Sequence, residues 1–204
     1  AERWETIDDL TWEFTLRRGV RFHDGRELTA EDVAASLRRA PKVPNSPGSF
    51  VFFTRAIVGM EIVDPHRIRL RTATPYPLLP RDLSVVAIVG QRFENAGSAA
   101  FNSGAATIGT GPFRFVEWRP GDRLILKRND AYWNTRAEWD GVVIRPIEND
   151  SARVAALLSG DVDVIEAVPP ADAPTLRARP DTRVTQVAST RLVWRITLSW
   201  FSRP

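Results

Sequence analysis

The sequence predicts a mixed α/β protein (α+β in its first part), on three observations. Residues 12–16 and 67–72 alternate apolar and polar side chains with the period of two that marks half-buried strands. Residues 29–40 carry both start and stop signals of a helix. A strand, helix, strand order follows over residues 142–187, at spacings that suit an α/β unit.

Composition sets the frame. With 204 residues, 43% hydrophobic and 26% charged, the chain is long enough for one large domain or two small ones, each with a real core. No run of about 18 apolar residues occurs, so the sequence predicts no transmembrane helix. The pI is near 9.9, yet the formal net charge is only +3. Arg residues are scattered among Asp and Glu instead of clustered on one face, and Lys stands only at 42 and 127, a pattern that argues against nucleic acid as a partner. The absence of cysteine excludes disulfides, thiolate metal sites and a Cys nucleophile.

Trp12, Phe14 and Leu16 alternate with Glu13, Thr15 and Arg17, and form the first predicted strand. Thr29-Ala30-Glu31-Asp32 resembles a capping box in which Asp32 takes the place of the usual Glu. Acidic residues in the first turn, Arg38 and Arg39 in the last and a stop at Pro41 predict a helix over 30–40 that buries Val33, Leu37 and Ala40. Residues 44–48 read as a loop and lead into Phe50, Phe52 and Phe53. Two strands, 57–63 and 67–72, join across Asp64-Pro65-His66. A β-hairpin is predicted within residues 109–133, turned by Arg119-Pro120-Gly121-Asp122 in a type II turn with Gly121 at positive φ. Further on, 142–147 reads as a strand, Asn149 or Asp150 caps a helix to Ser159, and Gly160 suits its left-handed end. Strands at 162–164 and 183–187 flank a short helix starting near Pro169 and ending at Arg177.

The chemical motifs are sparse. Gly109-Thr110-Gly111 is half of a dinucleotide fingerprint, but Pro112 and a strand follow it where a helix is required, so a tight turn into a strand is expected instead. His23-Asp24 invites a catalytic reading, in which a hydrolase would use His23 with a Ser and an Asp. No Gly-x-Ser-x-Gly elbow supports it, and a structural His in a turn is the preferred reading. Asp161 and Asp163 share a face of a predicted strand and read as a solvated edge. Phe50, Phe52 and Phe53 follow a Pro/Gly loop, which leaves a ligand-facing role open beside the usual fate of Phe in a core.

Four stretches carry a family resemblance: WEFTLRRGVRFHDGRELTAEDV at 12–33, TATPYPLLPRDLSVVAIV at 72–89, GTGPFRFVEWRPGDRLILKRNDAYW at 109–133, and RVAALLSGDVDVIEAVPPAD at 153–172. Together they resemble the family 5 extracellular solute-binding proteins, the receptors of ABC importers for peptides, glutathione and nickel. The resemblance implies a bilobed type II periplasmic-binding-protein fold that closes on its solute, with a small inserted domain. On that reading residues 1–105 form a small α+β domain adjoining the first lobe, 106–188 a first-lobe α/β segment, and 189–204 the start of an opposing lobe. Family members are longer, so the resemblance also implies that a leader and most of the second lobe are missing from this sequence.

It implies in addition a periplasmic location, with no signal peptide in this stretch, and a monomer when full length. The implied partners are a peptide-like solute and an inner-membrane ABC permease, with no catalytic group, metal or cofactor. Ser49, Phe50, Phe52 and Phe53 are the candidate ligand-binding residues.

Overall fold

The computed structural model describes residues 1–43 and 50–185. The chain divides into two compact units, Ala1–Arg145 and Pro146–Pro204, the second described as far as residue 185.

The first unit holds two antiparallel sheets, one wholly before residue 105 and one wholly after it. The four-stranded sheet contains β1 (Arg3–Asp8), β2 (Thr11–Thr15), β3 (Ile57–Asp64) and β4 (Arg67–Thr72), in the order β1-β2-β4-β3. Its register pairs Phe14 with Ile68 and Trp12 with Leu70, which puts the predicted apolar faces of β2 and β4 on one side. Helix α1 (Ala30–Arg39) covers that side. Ala30, Ala34 and Ala35 are buried on α1, and their small side chains allow close approach, so that Phe14, Leu16, Leu37, Ile68, Leu70 and Leu79 close the core. Val33 and Ala40 are half-buried, because the face in contact is set by these alanines and Leu37.

On the other face, Glu13 is only 7% exposed, although its position predicts solvent. Arg69 Nε donates to its carboxylate at 2.8 Å and Arg67 NH1 lies 3.6 Å away, so the charge is paired where it is shielded. β1 is exposed along its whole length; its backbone bonds to β2 hold it without a buried side chain of its own.

Short helix α2 (Val51–Thr54) precedes β3, while α3 (Leu79–Leu83) and α4 (Ser98–Asn102) lead to the second sheet, β5 (Phe113–Arg119), β6 (Arg123–Arg128) and β7 (Gly141–Ile144), in that order. The predicted turn forms: Asp122 N–H reaches Arg119 O at 3.0 Å and Gly121 has φ +74°. A bulge between Phe115 and Glu117 absorbs one residue. It places Phe115 and Trp118, three apart, on the same face, in rows Phe115–Leu126–Val142 and Trp118–Leu124–Ile144. Gly104, at φ +87°, passes so close that a Cβ there would overlap the Phe115 ring.

In the second unit, α5 (Asp150–Ser159) starts on the Asn149 side chain, which accepts Ala152 N–H at 2.8 Å, and ends on Gly160 at φ +81°. Arg153 gathers the carbonyls of Ile147 at 2.8 Å and of Glu166 and Ala167, each at 3.0 Å. Ala167 has φ +51° and is the one non-glycine at positive φ among the described residues. Helix α6 (Ala173–Ala178) follows. The predicted strand at 162–164 is not formed: it has no ladder partner among the described residues, so Asp161 and Asp163 sit in an irregular exposed segment. Residues 183–185 are likewise not a strand, and the rest of that expectation lies outside the described residues.

Candidate functional site

Of the four predicted ligand-binding residues, Ser49 lies outside the described residues. The other three stand together. Val51–Thr54 makes one helical turn closed by Arg55 N–H to Val51 O at 2.8 Å, and the Thr54 hydroxyl donates to Phe50 O at 3.2 Å. That turn gathers the rings: Phe52 meets Phe53 edge-on at 5.4 Å, and Phe50 lies 6.1 Å from Phe53. The Arg55 guanidinium covers Phe52 at 4.5 Å. Phe52 remains 53% exposed and Phe50 37%, so these rings are not core.

Beside the turn lies a cavity of about 230 Å³ whose lining includes Leu37, Pro41, Lys42, Thr54, Ile57 and Met60. Ligand pockets for whole small molecules run to roughly 300–1,000 Å³, so this one suits a single apolar side chain. Arg38 at its edge is occupied by Glu94 through two bonds of 2.8 and 2.9 Å, and this pairing, with Lys42 nearby, holds the Glu94 carboxyl below its usual range. A broader recess of about 580 Å³ lies at the β1–β2 turn against Asp8, Asp9, Leu10, Thr11 and Arg71. There Asp8 accepts Leu10 N–H at 2.8 Å, a bond that lowers its pKa and commits it to its own turn.

His23 is tied to a different task. Its N–H donates to Gly109 O at 2.8 Å, and Gly109 N–H donates back to ring Nδ1 at 3.3 Å. Ring Nε2 lies 3.1 Å from Gly111 O. Asn129 Nδ2 donates to the same carbonyl at 3.1 Å, while Arg114 donates to Asn129 Oδ1 at 2.7 and 3.0 Å and to His23 O at 2.9 Å. Both ring nitrogens are thus spent on backbone groups, a structural role, and the Gly-x-Gly segment is the turn they grip. Sequence reasoning missed Asn129, which is 2% exposed, and Arg114. A polar residue directly after a strand is the one local signal it offered.

The fold of the described residues is similar to that of solved periplasmic binding proteins. AgaA from A. tumefacien R10, solved in complex with agropinic acid, matches with a TM-score of 0.75 and 30% identity over 88% of this chain and 37% of that one. The class is that of the solute-binding proteins. The chain belongs to the bacterial extracellular solute-binding proteins, family 5, whose middle region it matches over residues 1–198. Among curated relatives, the glutathione-binding protein GsiB of Salmonella choleraesuis (strain SC-B67) is 30% identical over 83% of this chain and 33% of its own length. The dipeptide-binding protein of Escherichia coli (strain K12) is 29% identical over 84% of this chain and 36% of its own. The chain therefore spans about a third of the length of the curated relatives it matches.

Proposed function

We propose that this chain is part of an importer receptor that captures a peptide-like solute and delivers it to an ABC permease. The observation that carries the reading is the family match along residues 1–198, joined by relatives named for glutathione and for dipeptides, both built on peptide bonds. Residues 1–105 serve as a small domain, 106–188 as a first-lobe segment and 189–204 as the start of the opposing lobe. The receptor works in the periplasm as a monomer and closes on its solute without chemistry.

Ser49, Phe50, Phe52 and Phe53 face the solute. Exposed aromatic rings suit an apolar peptide side chain, and the cavity beside Thr54 is of a size for one. The test is calorimetric titration of dipeptides and glutathione into a polypeptide carrying this chain. Phe52→Ala is expected to weaken binding about tenfold, the effect of losing an anchor worth about 1.4 kcal/mol. Unchanged affinity in that variant removes the aromatic group from the site, and absence of binding by any peptide-like solute removes the peptide reading.

A further inference from the structure

The grip on the Gly-x-Gly turn has a protonation state built into it. Gly109 N–H can only donate, so His23 Nδ1 must accept and carry no proton. Gly111 O can only accept, so Nε2 must carry the proton that joins them. The two contacts together select the neutral Nε2–H tautomer.

We infer that His23 is an acid-sensitive latch between the two sheets of the first unit. Adding a proton to Nδ1 turns an acceptor into a donor facing the Gly109 N–H, and that bond is lost. The Gly111 contact survives, so the imidazolium holds the turn from one side only. The groups packed against the residue supply no carboxylate to hold the imidazolium in place. From β5, the Arg114 guanidinium donates to the His23 backbone carbonyl at 2.9 Å. From its own turn, Asp24 is already paired with Arg92, the cation of the 91–93 turn, at 2.6 Å. Asn129, after β6, is uncharged and bonded to Arg114. Among the described residues no carboxylate contacts either ring nitrogen.

The latch spans 86 residues of sequence, from the turn after β2 to the start of the β5–β6 hairpin. It requires no ligand and is independent of which solute is bound. Histidine is the side chain whose charge ordinarily changes between about pH 5 and 8, which sets the range over which the latch is tested.

The experiment is NMR on the full chain labelled with 15N in its histidines and glycines, titrated from pH 8 to 5. His66 is the only other histidine. Above the titration, His23 is expected to show the Nε2–H tautomer. On protonation, the exchange protection of the Gly109 amide falls about three- to tenfold, the effect of one hydrogen bond of ordinary net strength. In His23→Gln that change disappears, whereas His66→Gln keeps it. An Nδ1–H tautomer overturns the inference, as does Gly109 protection that stays constant through the His23 titration. The tautomer measurement needs only the unmodified chain, so it decides the matter even if His23→Gln fails to fold.

Discussion

Removing the Asp32 carboxylate is expected to be among the most damaging single changes in the first unit. Its side chain is fully buried, yet it is an ion. One oxygen accepts Arg26 NH2 at 2.7 Å and Gln91 N–H at 2.8 Å. The other accepts Arg26 NH1 at 3.0 Å, Thr29 N–H at 2.9 Å and the Thr29 hydroxyl at 3.1 Å. It therefore completes the capping box of α1, anchors the 90–93 segment and fixes Arg26 at once. Asp32→Ala strands two backbone donors, at about 1–3 kcal/mol each. Arg26 is 40% exposed and regains water, so its share is discounted. The total comes to about 3–5 kcal/mol, a large part of the roughly 5–15 kcal/mol that holds a typical domain. With an m-value of about 2 kcal/mol/M, the urea midpoint drops by about 1.5–2.5 M.

Acid gives an independent check. Burial alone raises the Asp32 pKa, but the bonds from Arg26, from Gln91 N–H and from Thr29 N–H outweigh it, and the net displacement is downward. A group whose folded pKa is depressed stabilises the fold above its unfolded value, about 3.9 for Asp, and loses that contribution as pH falls through the folded value. Asp32→Asn cannot titrate there. It is expected to be less stable than the parent at pH 7 by about 2–3 kcal/mol, with the gap narrowing as the pH drops below about 4. A loss under about 1 kcal/mol for Asp32→Ala, or a gap that stays constant into acid, contradicts this role of the buried carboxylate.

Other expectations follow from backbone geometry. Gly104→Ala combines a left-handed φ, about 1–2 kcal/mol for a residue with a Cβ, with overlap against Phe115. A loss of about 2–4 kcal/mol in urea melts is expected, and a loss under 1 contradicts the packing. Ala167→Gly relieves the same φ cost at +51°, offset by about 0.5–1 kcal/mol of chain entropy, so it stabilises by about 0.5–1 kcal/mol. Gly160→Ala does the reverse at φ +81°, costing about 1 kcal/mol, with nothing within 4 Å of the new methyl to add to it. Opposite signs in the urea midpoints of these two variants check the pair.

Local chemistry explains which parts of the fold were readable. The start of α1, the Pro120-Gly121 turn, and the Asn149 and Gly160 ends of α5 are set by side chains or φ preferences within a few residues, and each formed. Edge strand β1 was not readable, because RWETID buries nothing and is held by backbone bonds that any sequence makes. The expected strand at 162–164 failed for the converse reason: its alternation is present, but no partner strand is. The three phenylalanines were legible as a group, but the helical turn that clusters them was not. The roles of Asp32 and His23 depend on Gln91 and Gly109, residues 59 and 86 positions away, and periodicity carries no information on such pairs.

The proposed role, a receptor that binds a peptide-like solute and leaves it unchanged, is open to a thermal-melting experiment. A polypeptide carrying the chain is melted with dipeptides, glutathione or nickel, followed by mass analysis of the recovered solute. At a hundredfold excess over Kd, binding adds about 2.7 kcal/mol, which raises Tm by roughly 5–11 °C for a chain of this size. That rise is expected with a peptide-like solute, recovered intact. No rise with any of them, or consumption of the solute that stops in His23→Ala, contradicts it.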